Sequence, residues 1–292
     1  MNEKLVEQLY GFIRSASTDL PADVEGALRE AQRQELPGGP AANTFGAILE
    51  NVAMARKKVT PICQDTGSML FTVYHPVGLD VIEFKRAIEA AAERATRAVL
   101  LRPNAVDPIT GKNTGTNLGV NAPYVTFKAW EQDEVRVKLM LKGGGSENVG
   151  TQYKLPDTAL GAGRDLKGIR KCVLDAVYKA QGMGCAPGII GVGIGGDRMT
   201  SYQLSKEQFF RRLGSSNPDP RLDAFEQELH ADLNRLGIGP MGFGGRTTVL
   251  GVFVAAQHRH PATFYVAISY MCWACRRKEM TLKNGEAIHD PA

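Results

Sequence analysis

The class of fold is decided by residues 166–198, which read LKGIRKCVLDAVYKAQGMGCAPGIIGVGIGGDR. Residues 166–181 carry apolar side chains at helical spacing and predict a helix. The apolar run over residues 188–194 predicts a buried strand, which leads into a turn at Gly195 and Gly196. Helices that alternate with buried strands are typical of α/β proteins, so this stretch favours that class.

The same alternation extends to both sides of this stretch. The first ~60 residues have apolar positions three and four apart and predict helices. Further strands are predicted over residues 68–74, 133–141, 247–255 and 263–270. Two more helices are predicted, from Asp80 as cap to a stop at Pro103, and from Asp219 as cap to Gly237. We therefore expect mixed sheets flanked by helices, a helical N-terminal segment, and a single domain over residues 1–292.

The composition disfavours several classes of protein. The 35 basic and 31 acidic residues give a net charge of +4, without the concentrated basic face that binds nucleic acid. No stretch approaches the ~18 consecutive apolar residues of a membrane span, and no apolar signal-peptide segment follows the first residues. We therefore expect a cytoplasmic protein with neither nucleic acid nor membrane as partner. Five cysteines, an odd number, favour reduced thiols over a disulfide framework.

Three of the cysteines lie in sequence contexts typical of loops. Cys63 is predicted in the loop that enters a strand, Cys185 lies among Gly and Pro, and Cys272 begins the sequence CWACRR. Three thiolates can hold three irons of a cubane and leave the fourth iron without a protein ligand. Such an iron is a Lewis acid that can take a hydroxyl or carboxylate oxygen, which favours addition or removal of water over electron transfer.

Other interpretations of the cysteines and glycine-rich loops stay open at this point. Cys172, inside a predicted helix, is expected to be a small buried hydrophobic residue. Cys272 and Cys275 also allow a zinc or dithiol interpretation, although zinc would need a second close pair. The loops over residues 142–148 and 191–196 fit no nucleotide motif well, so tight turns are the favoured interpretation.

Three polar residues also have ordinary structural interpretations. Asp65 could cap its own turn. Arg102 could be a cation at a helix end, favoured by the helix dipole. His260 could be a surface histidine or one with its hydrogen bonds satisfied. None of the three would be singled out without the surrounding motifs.

Taken together, the motifs resemble those of the iron–sulfur (class I) fumarate hydratases and the related L-tartrate dehydratases, in their α subunit or N-terminal catalytic domain. In chain order they are PICQDTG (61–67), LRPN (101–104), KGGGSEN (142–148), GCAP (184–187), GIGG (193–196), LGIG (236–239), RHP (259–261) and CWA (272–274). The resemblance covers nearly the whole chain, and the number and order of the motifs make it specific.

The resemblance implies a set of site residues. A [4Fe–4S] cluster would be bound by Cys63, Cys185 and Cys272. Substrate contacts would come from Gln64, Arg102, the backbone of Gly145 and His260. We expect the Asp65 carboxylate to be part of the general base, and His260 to bind the substrate or to transfer a proton as the general acid. Cys275 has no counterpart among the family's ligands. We favour a Cys275 that only neighbours the cluster over one that binds the fourth iron, because a fourth ligand would close the open position on that iron.

The function implied is reversible hydration of fumarate to (S)-malate, with a C4 dicarboxylate as substrate. Dehydration of L(+)-tartrate is the near alternative, and the continuation over residues 145–148 looks more like the fumarases. Because the chain ends soon after the third cysteine motif, it looks like an α subunit that works with a separate β subunit, in an α2β2 assembly. A non-catalytic iron–sulfur sensor or assembly protein is disfavoured, since it needs only the cysteines, and a zinc-binding structural protein is the weakest alternative.

Overall fold

The computed structural model describes residues 2–289, and these form two compact units. The first unit is built from residues 2–22, 50–144 and 274–289, and the second from residues 23–49 and 145–273. Each unit is described by itself below. The single catalytic domain over residues 1–292 therefore stays a prediction.

Helices and strands alternate through much of the chain. In chain order they are α1 (Glu3–Thr18), α2 (Ala22–Gln34), α3 (Pro40–Lys58), β1 (Ser68–His75), α4 (Val81–Arg97), β2 (Tyr124–Ala129), β3 (Val135–Lys142), α5 (Gly144–Asn148), β4 (Thr151–Lys154), α6 (Leu166–Ala180), β5 (Gly188–Ile194), α7 (Arg198–Glu207), α8 (Pro220–Asn234), β6 (Val249–Ala256), β7 (Tyr265–Met271), β8 (Arg276–Lys283) and β9 (Glu286–His289). Two mixed sheets and a helical N-terminal segment confirm the predicted α/β class.

The first unit contains a five-stranded sheet in the order β2-β1-β3-β8-β9. Strands β1 and β2 run parallel, and the other neighbours are antiparallel. Along β3 the side chains of Val137, Leu139 and Leu141 point to one face, because successive residues of a strand alternate between faces. They are buried in a core that also contains apolar residues of α1 and α4, such as Phe12 and Ile88. Each such side chain contributes about 1.5–3 kcal/mol by its burial.

The second unit contains a four-stranded sheet in the order β4-β7-β5-β6. Its central strand β5 is buried along its whole length, pairing in parallel with β6 and antiparallel with β7. A Cβ atom on Gly191 or Gly193 would lie 2.1 Å from a backbone oxygen of Ser205 or Ser201, respectively, in α7. These two positions therefore need glycine, because α7 lies directly against the strand.

Most predicted elements are confirmed, including both helix caps. The Asp80 carboxylate accepts hydrogen bonds from the amides of Ile82 and Glu83, and the Asp219 carboxylate accepts one from Arg221. Both carboxylates satisfy amides that have no partner within their helix. The strand predicted over residues 188–194 is β5.

Other boundaries differ from the prediction. Helix α4 ends at Arg97, before Pro103, because the chain turns through a left-handed conformation at Val99 (φ 61°). Arg102 therefore lies beyond the last turn, and its interpretation as a helix-end cation is wrong. Helix α8 ends at Asn234 rather than at Gly237. Among residues 2–289, no helix is long and apolar enough to cross a membrane.

Several elements had not been predicted from the sequence. They are β2, β4, α7, β8 and β9, together with the five-residue helix α5 inside the glycine-rich stretch 142–148. Strand β8 is the most consequential, because it lies between β3 and β9 in the sheet.

Candidate functional site

In the first unit, Cys63 lies in the loop between α3 and β1 and is partly exposed. Ile62, the residue before Cys63, makes hydrogen bonds through both its backbone amide and its backbone carbonyl. The amide of Ile62 donates to the carbonyl of Ser17 (3.0 Å), and its carbonyl accepts from the side-chain amide of Asn51 (2.7 Å). The loop that presents the Cys63 thiol is thus fixed on its N-terminal side.

The Asp65 carboxylate holds two backbone amides with its two oxygens. Its Oδ1 accepts from Gly67 (3.0 Å) and its Oδ2 from Gly144 (2.7 Å), at the start of α5. The first bond closes a turn, so the turn-capping interpretation of Asp65 is confirmed. Gly67 has a left-handed backbone (φ 80°), and a Cβ atom there would lie 2.8 Å from the backbone nitrogen of Lys142. The turn therefore packs against the end of β3, and the Asp65 carboxylate has a fixed orientation.

The segment that carries Arg102 is tied to the same turn. Thr66 is buried, and its Oγ1 accepts from the Arg102 amide (3.0 Å) and from the Asn104 side chain (3.1 Å). The side chain of Asn117 donates to the carbonyl of Arg102 (2.8 Å). The Arg102 side chain is exposed, and its Nη1 donates to the carbonyl of Gln64 at 3.5 Å. The first unit thus brings together Arg102, the exposed Gln64 and the Asp65 turn.

A buried arginine lies beside this turn. Arg276, in β8 opposite Leu141, is 1% exposed. A Cβ atom built on Gly143 would lie 3.7 Å from Nη2 of Arg276 and 3.0 Å from Oδ2 of Asp65. The guanidinium and the carboxylate therefore both border Gly143. Its Nε and Nη1 make no hydrogen bond to any part of the chain that the structure describes. A guanidinium in that state carries a large desolvation penalty, which an anionic neighbour would offset.

In the second unit, Cys185 and Cys272 lie close to one another in the fold. Cys185 follows a short 3-10 helix (Gln181–Gly184) and has a left-handed backbone (φ 56°), which is uncommon for residues other than glycine. Cys272 directly follows β7 and is buried. The amide of Trp273 donates to the carbonyl of Cys185 (3.2 Å), so the two cysteine segments are joined by backbone hydrogen bonding.

Tyr270 lies next to both of these cysteine segments. Burial raises the pKa of Tyr270, and the thiols of Cys272 and Cys185 raise it further. Its hydroxyl has no hydrogen-bond partner among residues 2–289. The sequence gives one signal for Tyr270, its position two residues before Cys272, but only the fold shows that its hydroxyl is buried.

The other two predicted residues of the second unit are Gly145 and His260. Gly145 lies in α5, where a Cβ atom would be 3.4 Å from the carbonyl oxygen of Met183. His260 lies in the exposed turn between β6 and β7, and its Nδ1 accepts from the amide of Ala262 (3.1 Å). It borders an open cavity of about 550 Å³ with Arg198 and Tyr265 among its lining residues.

The two remaining cysteines differ from the three predicted ligands. Cys172 is fully buried in α6, as predicted, and burial followed by the charges of Asp157 and Asp175 raises the pKa of its thiol to about 12. Cys275 is also buried, and the Nη1 of Arg277 donates to its sulfur (3.5 Å).

Single-ion metal sites are not a feature of the described residues. Among residues 2–289, no three or more His, Cys, Asp or Glu side chains are grouped so as to hold one metal ion. An iron–sulfur cluster makes a different demand, because each cysteine binds a separate iron of a larger group. In the second unit, the sulfur atoms of Cys185 and Cys272 and the buried Tyr270 hydroxyl nearby are the kinds of group that would surround such a cluster.

Comparison with known proteins extends over almost the whole chain. A family model described as fumarate hydratase (fumerase) matches residues 6–281. A protein of Geobacillus stearothermophilus, provisionally named fumarate hydratase class I, is 51% identical over 278 residues. That match covers 94% of this chain but 54% of the relative, so the chain spans about half of its length.

Two further relatives have nearly the same length as this chain. A Methanocaldococcus jannaschii protein, provisionally named L(+)-tartrate dehydratase subunit alpha, is 34% identical over 96% of this chain and 98% of its own length. The L(+)-tartrate dehydratase subunit alpha of Escherichia coli K12 is 32% identical over 94% of this chain and 89% of its own.

Proposed function

This chain belongs to the fumarate hydratase family, and on that premise we propose that it is a hydro-lyase subunit that catalyses the reversible hydration of fumarate to (S)-malate. The observation that carries the proposal is the family match over residues 6–281. It is supported within the first unit, where Asp65 and Arg102 are fixed around one turn. A carboxylate and an arginine anchored at the same turn suit a reaction that moves a proton on a dicarboxylate.

We propose that Cys63, Cys185 and Cys272 hold a [4Fe–4S] cluster. Three cysteines leave one iron without a protein ligand, and when bound the cluster would supply a Lewis acid for a substrate oxygen. In the second unit, the backbone bond between the segments of Cys185 and Cys272 supports their use as a pair. Cys275, whose sulfur accepts from Arg277, is not included in this ligand set.

The chain's own residues would bind and orient the substrate. The planar guanidinium of Arg102 can donate two parallel hydrogen bonds to one carboxylate of a C4 dicarboxylate. Its backbone is fixed by Thr66 and Asn117, so the side chain starts from a rigid base. Gln64 and the backbone of Gly145 would complete the substrate contacts.

Proton transfer is assigned to Asp65 and His260. In the direction of dehydration, the Asp65 carboxylate would take part in removing the proton from the carbon next to the one that loses its hydroxyl. The electron pair of that C–H bond forms the double bond, and the departing hydroxyl gains a proton and leaves as water. His260 is exposed and could bind the substrate or supply that proton.

Dehydration of L(+)-tartrate is the second candidate. It is favoured by one observation, that this chain covers 98% and 89% of two proteins named as alpha subunits of that enzyme. The same naming supports a separate β subunit as partner. We propose that the two chains form an α2β2 assembly. We further propose a cytoplasmic location.

Anaerobic kinetics would test the proposed function. The chain would be co-produced with a candidate β subunit, and steady-state rates measured on fumarate, (S)-malate and L(+)-tartrate. We expect the highest kcat/KM with fumarate and malate. Iron and sulfide analysis should give four of each per chain, as one [4Fe–4S] cluster requires. A preference for tartrate would establish the second candidate, and full activity of the chain alone would contradict the need for a partner.

Replacement of the proposed base tests its role directly. Asp65→Asn should lower kcat by about 100-fold or more, because positioned acid–base groups contribute about 10²–10⁴-fold. Iron content should stay normal. The matched control is Asp107→Asn, which changes an exposed carboxylate that also caps its turn, by accepting from the amides of Ile109 and Thr110. Unchanged turnover in Asp65→Asn would remove Asp65 from the mechanism.

A further inference from the structure

Tyr270 has a polar group that the fold of the second unit leaves without a hydrogen bond. The residue is 2% exposed, in β7 opposite Ile190 of β5. Its hydroxyl finds no donor or acceptor within the part of the chain that the structure describes. A buried hydroxyl in that state destabilises a protein, so an unsatisfied one indicates a partner outside the chain.

The ring of Tyr270 is held in place by two glycines on either side of Cys185. A Cβ atom on Gly184 would lie 2.6 Å from Cε1 of the ring, and one on Gly188 would lie 2.7 Å from the hydroxyl oxygen. Because both distances are far below van der Waals contact, the ring lies directly against the backbone there. The hydroxyl therefore sits next to the loop of Cys185.

The surroundings of this hydroxyl are rich in sulfur. Cys272 follows Tyr270 by two residues in the chain, and the two glycines that contact the Tyr270 ring flank Cys185. The backbone bond from Trp273 to Cys185 holds the two cysteine segments together beside it. A phenolic O–H is a hydrogen-bond donor, and the sulfurs of an iron–sulfur cluster with its cysteine ligands are anionic acceptors.

We propose that the Tyr270 hydroxyl donates a hydrogen bond to a sulfur atom of the iron–sulfur group that Cys185 and Cys272 help to hold. This inference rests on the proposed function, because it requires the cluster. The hydrogen bond withdraws electron density from the sulfur and raises the reduction potential of the cluster. Tyr270 is thus a residue that positions the cluster and tunes its potential.

A competing explanation is a purely structural hydroxyl. Tyr270 also lines a cavity of about 190 Å³ with Ser146, Glu147, Gly150, Tyr202, Lys206 and Ser269. If the hydroxyl served a water molecule in this cavity, its removal would destabilise the protein with or without the cluster.

The experiment compares Tyr270→Phe with the wild-type chain in two states, with the cluster reconstituted anaerobically and without it. Tyr178→Phe is the matched control, because Tyr178 is 61% exposed in α6 of the same unit. The measurements are iron and sulfide content, the reduction potential of the cluster, its rate of bleaching in air, and the thermal unfolding midpoint of each state.

For Tyr270→Phe we expect a cluster potential lower than wild type and faster bleaching. The midpoint without the cluster should be equal to or higher than that of wild type, since an unsatisfied hydroxyl has been removed. Failure of the variant to assemble the cluster, with an unchanged midpoint without it, would equally support the proposal. An unchanged potential, or a lower midpoint without the cluster, would overturn it. A wild-type chain that binds no cluster would instead contradict the proposed function.

Discussion

The loop of Cys63 in the first unit is held by side-chain hydrogen bonds, whereas the loop of Cys185 in the second unit is held by close contact at glycines. Around Cys63 and Asp65, the bonds come from Asn51 and Thr66. Around Cys185, Gly184 and Gly188 leave no room for a Cβ atom against the ring of Tyr270. The first arrangement depends mainly on particular oxygen and nitrogen atoms, although Gly67 also makes a close backbone contact there. The second depends mainly on the absence of a methyl group, beside the backbone bond from Trp273 to Cys185.

This difference indicates how each region can be broken. Hydrogen bonds are lost when one polar atom is replaced, at a free-energy cost of about 1–3 kcal/mol for the donors left unpaired. A steric contact is broken by the addition of an atom, and the backbone around it must then move. We therefore expect methyl additions to damage the second unit more than isosteric polar replacements damage the first.

The largest effect is expected for Gly191→Ala in β5. The new methyl group would lie 2.1 Å from the backbone oxygen of Ser205, so α7 or the strand must shift. We expect the free energy of unfolding to fall by about 3 kcal/mol, the upper end of the usual cost of overpacking, as measured by denaturant titration. The control is Gly26→Ala in α2, where the methyl group would have no neighbour within 4 Å and should stabilise the helix by about 0.5–1 kcal/mol. Equal stability of the two variants would refute the steric account.

An intermediate effect is expected for Thr66→Val in the first unit. Valine has nearly the same shape but leaves the Arg102 amide and the Asn104 side chain without their shared acceptor. We expect the free energy of unfolding to fall by about 1–3 kcal/mol. Hydrogen exchange should become faster over residues 61–67 and stay unchanged over residues 184–194. Thr126→Val, at an exposed position of β2, is the control. An equal rise of the exchange rate in both segments would contradict the view that the two loops are stabilised independently.

The smallest effect concerns the acid sensitivity of the second unit. Burial lowers the pKa of His230 in α8, although a hydrogen bond with the backbone of Val249 opposes this. The unfolded chain therefore takes up the proton first, and stability should be lost as the pH falls below about 6.5, the ordinary value for histidine. In addition, the amide of Asn234 meets Nε2 of His230 at 3.2 Å, a bond that a neutral ring can accept.

His230→Gln should flatten the dependence of the unfolding midpoint on pH between 7 and 5, because glutamine does not titrate. Thr126→Val, which neither adds nor removes a titrating group, is the control and should leave that dependence as in wild type. A steeper acid loss in His230→Gln than in wild type would show that the buried imidazole is not the sensitive group.

Much of the fold could be predicted because local patterns specify it. Alternating apolar residues specify β3, and the caps Asp80 and Asp219 specify where two helices begin. Strand β8 could not be found in this way. It begins Arg276-Arg277-Lys278, a run typical of a charged surface, although both arginines are buried.

The site shows the same division. The motifs single out Cys63, Cys185 and Cys272, whose sulfur chemistry is visible in the sequence alone, although the cluster they would share stays a proposal. The roles of Thr66 and Tyr270 could not be predicted, because these roles depend on long-range contacts. The Thr66 hydroxyl meets an amide 36 residues away, and the Tyr270 ring meets glycines more than eighty residues earlier.

The position of β8 in the first sheet has a consequence for synthesis of the chain. On the ribosome, β3 emerges long before its neighbour β8, and residues 145–273 must be made in the interval. During that time one edge of β3 has unpaired backbone groups, which can pair with the strands of other nascent chains. We therefore expect the yield of folded chain to depend on chaperones and on a moderate expression rate.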